Sequence, residues 1–426
     1  MQKGFWNYTN YFISGFVLVG LGIIIMIGSL NLYTSIVNLL VFAFLLLGII
    51  QLCNLLRNPK ELSKEKLVRA IIDITFGVVM NVFKDIPLSI VPILFAGYLL
   101  FNSLVKGISA YYLFKNKEHK WKEIAFFLFF LVSGILFLFS PLGHLPTILS
   151  IIGLYCILIG LGEWKKFLLE IIPHRGQKRS IYISLPAFLD AFIPRRMLTK
   201  INHYFNNIEE EAIYEIKKET TIPDLEIFIH VAPHGFNQLG HMDIYFDGKI
   251  ISYGNYDTTS YRMFDSIGDG VLFETTKEKY IPFCIKQSNK TLIGFGFKLT
   301  EKQKEKVKKE INRIKEDTYP WESKTFSNPT ENQKYEYIDL LCIETKAKTY
   351  KFKTGEFKTY FVLGRNCTLF ADRIVGKSGT DILKMVGIIT PGTYLDYLET
   401  EFAKKNSRVI SRTIYNAQTQ EKVFRN

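Results

Sequence analysis

The stretch LGRNCTLF, residues 363–370, joins a strand-like run to a segment that is typical of a helix. Gly364 and Arg365 interrupt the extended pattern, and Cys367 then falls in the first turn of the predicted helix. A thiol at that position becomes reactive, because the positive end of the helix dipole stabilises the thiolate. A lone cysteine ahead of an apolar helix is more often a small buried residue. The choice between the two roles depends on whether the chain supplies a base.

The base is predicted on the segment GHMDIYFDGKIISYG, residues 240–254, where His241 follows the first glycine. Its alternating apolar residues and the turn signal Asp247-Gly248 indicate a β-hairpin. An imidazole that faces a thiol at a helix start can remove the thiol proton, which nucleophilic catalysis by cysteine needs. The histidine hairpin therefore favours catalysis over burial as the role of Cys367.

The hairpin also predicts which groups surround the imidazole. With a two-residue turn, His241 lies opposite Gly254, which leaves room for the imidazole and an incoming group. Ser252 lies diagonally on the same face, whereas Asp257 is chemically the better acceptor but falls near the end of the strand. The residue that orients the imidazole is left open between Ser252 and Asp257.

Neighbouring groups are expected to complete the candidate site. The backbone N–H groups of Cys367 and Thr368 can stabilise an oxyanion, with Asn366 directly before them. His234 lies in a loop flanked by proline and glycine, and Tyr253 lies on the return strand. Both are expected to border the substrate entrance.

The composition argues against other kinds of site. The formal net charge is +13, and the five cysteines include no CxxC pair. An odd number of cysteines without paired spacing excludes a disulfide framework and a zinc site, so no metal and no other cofactor is expected. No nucleic-acid motif accompanies the positive charge. The basic surface is therefore expected to lie against anionic lipid headgroups rather than nucleic acid.

Residues 201–426 predict an α+β domain with a mostly antiparallel sheet. The segments LEIFIHVAP, YIPFCIKQ and LIGFGFKL, which begin at 225, 280 and 292, are typical of strands. The segment TEKQKEKVKKEINRIKED, residues 300–317, predicts a charged amphipathic helix that begins with a capping box.

Six apolar runs fill the N-terminal part of the chain, and each is close to the ~20 residues that span a bilayer. They pair into three hairpins, because the first run of each pair carries a similar phrase: VGLGIIIMIGSL, IDITFGVVMNVF and FLVSGILFLFSP. Gly22, Gly77 and Gly134 recur in these phrases at a spacing of about 55 residues, which indicates an internal repeat. The runs lie at 11–30, 33–53, 68–83, 87–105, 123–140 and 145–162.

This repeat resembles the HdeD family of membrane proteins, which carry a short repeated two-helix unit. The resemblance covers about residues 1–165, and the six apolar runs there predict an all-α transmembrane domain of six helices. Residues 166–200 are expected to form an interfacial linker. An unrelated six-helix anchor is the alternative interpretation. Asp73 and Glu163 are the acidic exceptions in the runs, and this scarcity of charge favours an anchor or a lipid-facing platform over a transporter.

Lysine and arginine concentrate in the loops at 57–69 and 106–122 and after the sixth run. The positive-inside rule therefore predicts a multi-pass protein of the cell membrane with both termini in the cytoplasm. The segment SIYISLPAFLDAFIP, residues 180–194, is too short for a further crossing and is predicted to lie on the membrane. The catalytic domain is thus expected at the cytoplasmic membrane surface.

The order of the two candidate residues is informative, since His241 precedes Cys367 by about 126 residues. This order resembles the circularly permuted NlpC-type papain-like families, which include lecithin:retinol acyltransferase. GHMDIYFDGKIISYG is similar to their His-x-x-Ile-Tyr-x-x-Gly hairpin, and GRNCTLFADRI to their Asn-Cys-x-x-Phe helix start. The resemblance covers about residues 225–400 and implies that Cys367 is the nucleophile and His241 the base. Some relatives carry a second histidine on the return strand, which this chain lacks.

The resemblance and the membrane anchor together imply a thiol acyltransferase. Such an enzyme attacks a phospholipid ester, holds the fatty acyl group as a thioester and passes it to an amine or to water. The architecture is also similar to the permuted papain-like component of the lipoprotein N-acylation transferase system of Gram-positive bacteria. That likeness implies a lipoprotein N-terminus as the acceptor and a second membrane protein as a partner.

The predicted topology keeps other functions open. Lipoprotein N-termini are extracytoplasmic, whereas the charge rule places the catalytic domain inside the cell. One alternative is a cysteine peptidase or amidase that acts on cell-wall peptides, which requires the domain outside. The other is an inactive papain-like domain that binds a lipid or a partner protein.

Overall fold

The computed structural model describes residues 2–57, 64–83, 85–171, 215–217, 222–231, 240–288, 291–327, 335–378, 391–403 and 407–415. The chain divides into two compact units, of which the first comprises Met1–Leu104 with Ile124–Ile171 and the second Val105–Glu123 with Ile172–Asn426. Of the predicted interfacial linker, residues 166–171 continue the last helix of the first unit. The predicted membrane-surface segment at 180–194 lies outside the described residues.

Long apolar helices make up the described N-terminal region. They are α1 (Gln2–Arg57), α2 (Lys64–Val82), α3 (Asp85–Lys115), α4 (Trp121–Phe139) and α5 (Pro141–Ile171). Five stretches in these described helices are long and apolar enough to cross a bilayer, as a multi-pass membrane protein requires. These stretches are Tyr11–Gly28, Asn31–Leu55, Leu88–Lys115, Trp121–Phe139 and Pro141–Lys165. The helix α2 contributes only the shorter apolar segment Ala70–Val82.

The first predicted hairpin differs from the structure. The apolar runs at 11–30 and 33–53 lie in one continuous helix, α1, which has 56 residues. The sequence between the runs, GSLNLYTS at 28–35, contains no proline, and its single glycine lowers helix stability by only about 1 kcal/mol. The other four runs each lie in a helix of their own. The described residues therefore do not form the predicted bundle of six separate helices.

The internal repeat is visible in equivalent contacts between helices. Each of the repeat glycines Gly22, Gly77 and Gly134 faces one aliphatic residue of another helix. In the same order, these aliphatic residues are Ile157, Leu45 and Leu100. A Cβ added to the three glycines would lie 3.0, 3.2 and 3.2 Å from the backbone nitrogens of these partners. The small residue at each position therefore permits close approach of two helix backbones, as is common in lipid.

An antiparallel sheet organises the second unit. Its nine described strands follow the order β1–β11–β7–β2–β3–β4–β6–β9–β8, and β5 pairs with β10 separately. The strands are β1 (Glu215–Lys217), β2 (Leu225–Val231), β3 (His241–Phe246), β4 (Lys249–Gly254), β5 (Ile267–Asp269), β6 (Val271–Thr275), β7 (Thr291–Phe297), β8 (Thr318–Pro320), β9 (Lys348–Phe352), β10 (Thr359–Phe361) and β11 (Val409–Tyr415). This arrangement confirms the expected α+β region with an antiparallel sheet.

Helices cover both faces of this sheet. They are α6 (Lys277–Ser288), α7 (Glu301–Glu316), α8 (Lys324–Ser327), α9 (Tyr337–Thr345), α10 (Cys367–Val375) and α11 (Pro391–Ala403). On one face, Ile244 and its neighbours pack with residues of α7, α10 and α11, such as Phe370. On the other face, Phe228 and Ile250 pack with α6 and α9. The predicted strand at 280–287 is therefore wrong, because this run lies in α6 and buries Cys284.

Candidate active site

The helix α10 begins at Cys367 because Asn366 caps it. The Asn366 backbone is extended, and its side-chain oxygen accepts a hydrogen bond from Leu369 N at 2.9 Å. Its Nδ2 donates to the carbonyl oxygen of Val362, also at 2.9 Å. Both polar atoms of Asn366 are thus engaged in shaping the helix start, as an N-cap residue should be. Cys367 itself is 3% exposed and is a free cysteine.

The Cys367 thiol and the His241 imidazole form a hydrogen-bonded pair with opposite pKa shifts. Burial opposes the charged imidazole, but the charges of Cys367 and Asp243 outweigh it and raise the pKa of His241 from 6.5 to about 10. Burial likewise opposes the thiolate, but the His241 charge and hydrogen bonds from His241 and the Met242 backbone lower the pKa of Cys367 below 9.0. The pair is therefore set up as thiolate and imidazolium, the form in which a cysteine is nucleophilic.

Asp243 lies against Nε2 of the imidazole, and its position on β3 explains how. Alternate residues of a strand share a face, so Asp243 lies beside His241. Its Oδ1 is 3.0 Å from His241 Nε2, and the carboxylate is fully buried. Burial opposes the charge of Asp243, but the charges of His241 and His230 outweigh it and hold its pKa well below 3.8. A fixed carboxylate on Nε2 both orients the ring and stabilises its positive charge.

The second oxygen of Asp243 has two further partners. Its Oδ2 is 2.6 Å from His230 Nε2, and it accepts a hydrogen bond from the Tyr280 hydroxyl at 2.7 Å. His230 lies on β2 directly opposite His241 in the sheet register. The carboxylate therefore lies between two histidines, and Tyr280 on α6 locks it in place. Buried carboxylates are stable only with such partners.

Ser252 lies where the hairpin register predicts. Asp243 pairs with Ser252 across β3 and β4, which is the register that a two-residue turn produces. The Ser252 hydroxyl is 3.0 Å from His241 Nε2 and 3.1 Å from the Tyr256 hydroxyl, which itself lies 3.0 Å from Nε2. A Cβ on Gly254 would lie 2.6 Å from the Tyr256 ring. The space expected for an incoming group beside Gly254 is thus filled by Tyr256.

The remaining predicted residues lie in different surroundings. Asp257 forms an ion pair with Lys351, at 2.6 Å, and its other oxygen accepts the backbone N–H of Thr259. These contacts give no support to an orienting role for Asp257. Tyr253 is fully buried, and its hydroxyl donates to the carbonyl oxygen of Phe357 at 2.9 Å, so it is a core residue rather than the rim of an open entrance. His234 lies outside the described residues.

A tyrosine that sequence reasoning did not single out reaches the thiol. The hydroxyl of Tyr360, on β10, is hydrogen-bonded with the Cys367 sulfur. Burial and the charge of Cys367 raise the pKa of Tyr360 well above 10.0, so the phenol stays protonated and can donate a hydrogen bond. Thr368 is fully buried next to the thiol. Among the described residues, no group of three or more His, Cys, Asp or Glu side chains is arranged to hold a metal ion.

Comparison with known proteins bears on the helices rather than on this site. Residues 68–139 carry a short repeat of unknown function, DUF308. The DUF308 match runs from α2 into α4 and includes Gly77 and Gly134, whose contacts are equivalent in the structure. It confirms the expected HdeD-like repeat in the N-terminal region, and together with the apolar spans it marks a multi-pass membrane protein. No curated protein and no solved structure matches the chain, so the likeness of the second unit to papain-like families stays a prediction.

Proposed function

We propose that this protein is a membrane-bound thiol acyltransferase that moves a fatty acyl group from a phospholipid, through a thioester on Cys367, to an amine acceptor. The observation that carries the proposal is the buried Cys367–His241 pair, in which the Asp243 carboxylate lies 3.0 Å from the imidazole. A charged pair of this kind in a protein with apolar membrane helices favours a lipid ester over a soluble substrate.

In the first half-reaction, the Cys367 thiolate attacks the carbonyl carbon of the ester. A carbon–sulfur bond forms while the electron pair of the carbonyl double bond moves to oxygen. The Tyr360 hydroxyl and the backbone N–H groups of Cys367 and Thr368 are the donors proposed to stabilise this oxyanion. When the intermediate collapses, the lysophospholipid oxygen leaves and takes the proton of the His241 imidazolium. The acyl group stays on sulfur as a thioester.

In the second half-reaction, the neutral His241 acts as a base. It takes a proton from the acceptor amine while the amine attacks the thioester carbon, and the Cys367 thiolate leaves as an amide forms. Asp243 stabilises the imidazolium that this proton transfer regenerates. The low pKa of Cys367 favours its departure, because a stable thiolate is a good leaving group.

The architecture supports a finer proposal for the acceptor. By the likeness to the lipoprotein N-acylation transferase system, the acceptor is the N-terminal amine of a lipoprotein, and a second membrane protein takes part. The basic loops support a cytoplasmic catalytic unit, whereas that acceptor is extracytoplasmic. A cell-wall peptidase or amidase would use the same Cys–His pair without an acylated intermediate derived from lipid.

The test is the intact mass of the purified full-length protein before and after neutral hydroxylamine, with labelled phospholipid as the donor. We expect a fatty-acyl mass increment that hydroxylamine removes and that Cys367→Ala never acquires. Cys53→Ala is the matched control, because Cys53 is an exposed thiol on α1. If the increment came from lipid modification of this membrane cysteine, Cys53→Ala and not Cys367→Ala would lose it. An increment that persists in Cys367→Ala, or a wild type that cleaves peptides and never carries label, would contradict acyl transfer through Cys367.

A further inference from the structure

The loop between β4 and β5 exposes an apolar tip on a strained backbone. Met263, Phe264 and Asp265 have φ values of 49°, 54° and 61°, and none of them is glycine. Such left-handed conformations are rare for residues with side chains, and three in succession persist only where the surroundings enforce them. At this tip, Phe264 is 95% exposed and Met263 is 54% exposed. The two apolar side chains are thus exposed on a loop whose backbone is strained.

Specific hydrogen bonds fix the shape of this loop. The Asn255 side chain donates to the carbonyl oxygen of Asp265 at 3.0 Å, and the Ser266 hydroxyl donates to that of Met263 at 2.6 Å. At its base, Arg262 and Ile267 exchange two backbone hydrogen bonds, of 2.9 and 3.2 Å. The loop is therefore a defined projection, and its outward apolar tip is part of its structure.

The base of the loop packs on the end of a membrane-spanning helix. Ile267 is fully buried in a cluster with Val105 and Phe361, and Tyr112 borders the same cluster. The Arg262 guanidinium lies 5.7 Å from the centre of the Tyr112 ring. Val105 and Tyr112 belong to the last part of the apolar span Leu88–Lys115 and to the same compact unit as the loop.

Exposed aromatic residues mark this end of the span as a membrane interface. Tyr111, Phe114 and Trp121 are all exposed, and they follow one another around the end of α3 and the start of α4. Tyrosine and tryptophan concentrate at the level of the lipid headgroups. The loop that rests on Tyr112 is therefore placed beside the headgroups of the leaflet in which α3 ends.

We propose that the Met263–Phe264 tip inserts into the interfacial region of this leaflet. The area that two side chains on a narrow loop can bury is far smaller than the roughly 800 Å² per partner that a stable protein interface buries. A bilayer, by contrast, accommodates apolar side chains without shape complementarity. Phe361 in the same cluster lies six residues before Cys367. Insertion would therefore hold the thiol at the level of the phospholipid ester bonds, a consequence that rests on the proposed function, although the insertion itself does not.

The experiment places a fluorescent reporter at the tip of the full-length protein. Phe264→Trp and Ile222→Trp are each reconstituted into vesicles of phosphatidylcholine with or without bromine on the acyl chains. Ile222 is the matched control, because it is 84% exposed. It precedes β2 and so lies at the end of the sheet where the Asp247-Gly248 turn joins β3 and β4. The Met263–Phe264 tip follows the opposite end of β4. The fluorescence that each variant adds to the parent protein is compared in the two kinds of vesicle.

We expect brominated lipid to quench the added fluorescence of Phe264→Trp and to leave that of Ile222→Trp unchanged. Equal, weak quenching of both variants would overturn the insertion. The quenching does not depend on turnover. Quenching in a protein that never acquires an acyl group would therefore support insertion of the tip and contradict the proposed function. A second variant, Phe264→Ser, is expected to slow acylation from vesicles while acylation from a water-soluble thioester keeps its rate.

Discussion

At the scale of single residues, Asp243 is expected to control the charge of the Cys367–His241 pair. Replacing Asp243 by Asn keeps the shape of the side chain but removes the negative charge that lies 3.0 Å from His241 Nε2. We expect Asp243→Asn to slow thioester formation by on the order of 10²-fold or more, because the imidazolium loses its stabilisation. The measurement is the rate at which labelled phospholipid acylates the protein.

Asp247→Asn is the control for this substitution. Asp247 lies in the turn of the same hairpin, where it forms a solvent-exposed ion pair with Lys308 that contributes little to stability. The acylation rate of this variant should equal that of the wild type. Wild-type acylation by Asp243→Asn would show that the buried carboxylate supports the fold and not the chemistry.

The reactivity of Cys367 should depend on pH in a manner set by His241. The lowered pKa of Cys367 predicts that alkylation by iodoacetamide has its midpoint below pH 9.0 in the wild type. In His241→Ala the thiolate loses the charge and the hydrogen bond of the imidazole, whereas burial and the Asp243 charge still oppose it, so the thiol pKa rises and the midpoint moves to higher pH. The modification of each cysteine is followed by peptide mass spectrometry.

Cys342 supplies the internal reference for this measurement. Burial raises the pKa of Cys342 to about 11, and it lies on α9 with no role in the candidate site. Its midpoint should therefore lie above that of Cys367 in the wild type and be the same in both proteins. A Cys367 midpoint that does not move in His241→Ala would contradict the proposed ion pair.

Sequence reasoning brings together Cys367, His241 and Ser252, and the structure places these three side chains in contact through the imidazole. It overlooks Asp243, although a residue two positions after a strand histidine must share its face. The return strand, where Ser252 and Asp257 are the candidates, does not include this carboxylate. Tyr360 was out of reach of such reasoning, because its contact with the thiol depends on the separate pairing of β10 with β5.

At the scale of helices, the close contacts of the repeat glycines predict that an added methyl group is not tolerated there. A Cβ at Gly134 would lie 2.9 Å from Leu100 Cδ2 and 3.2 Å from its backbone nitrogen, so the two helices must separate. We expect Gly134→Ala to destabilise the protein by about 1–3 kcal/mol, as overpacked sites usually do. Thermal unfolding in detergent measures the change.

Gly97→Ala is the matched substitution at an open position. Nothing lies within 4 Å of a Cβ at Gly97, which is also inside an apolar helix, α3. Alanine favours the helix by about 1 kcal/mol over glycine, so this variant should unfold at the same or a higher temperature. Equal destabilisation by both substitutions would argue against close packing at the repeat glycine.

The pattern of apolar residues predicts some elements better than others. The hairpin of β3 and β4 carries alternating apolar residues on β3 and a turn signal, and the predicted pairing of the two strands is confirmed. The run at 280–287 is continuously apolar, and such a run fits a buried strand as well as a buried helix. Packing against α9 decides in favour of the helix α6. Likewise, no helix-stop signal near Asn31 separates the first two apolar runs, and α1 continues through them.

At the scale of the whole molecule, the basic loops predict which side of the membrane holds the unit that contains Cys367. A green fluorescent protein fused after residue 426 should fluoresce, and alkaline phosphatase at the same point should be inactive, if that unit is cytoplasmic. Residue 140 ends the predicted span 123–140, one crossing away from the basic loop at 106–122. Fusions after residue 140 should therefore give the reverse pattern. An active phosphatase after residue 426 would contradict the cytoplasmic placement and would favour the peptidase alternative.

The strand order was beyond the reach of sequence reasoning. Neighbouring strands such as β3 and β4 are joined by a tight turn, so their pairing is local. The edge of the sheet is different, because β11 pairs with β7 on one side and with β1 on the other. Register between segments so far apart depends on which faces are buried, and short-range patterns do not contain that information.

The position of β11 also sets the order of events during synthesis. Its residues, Val409–Tyr415, leave the ribosome roughly 200 residues after β1, which takes on the order of 10–40 s at ordinary elongation rates. Until then, β1 and β7 lack the strand that lies between them. The membrane helices, by contrast, emerge first. The nascent chain is therefore anchored in the bilayer well before the edge of its sheet can close.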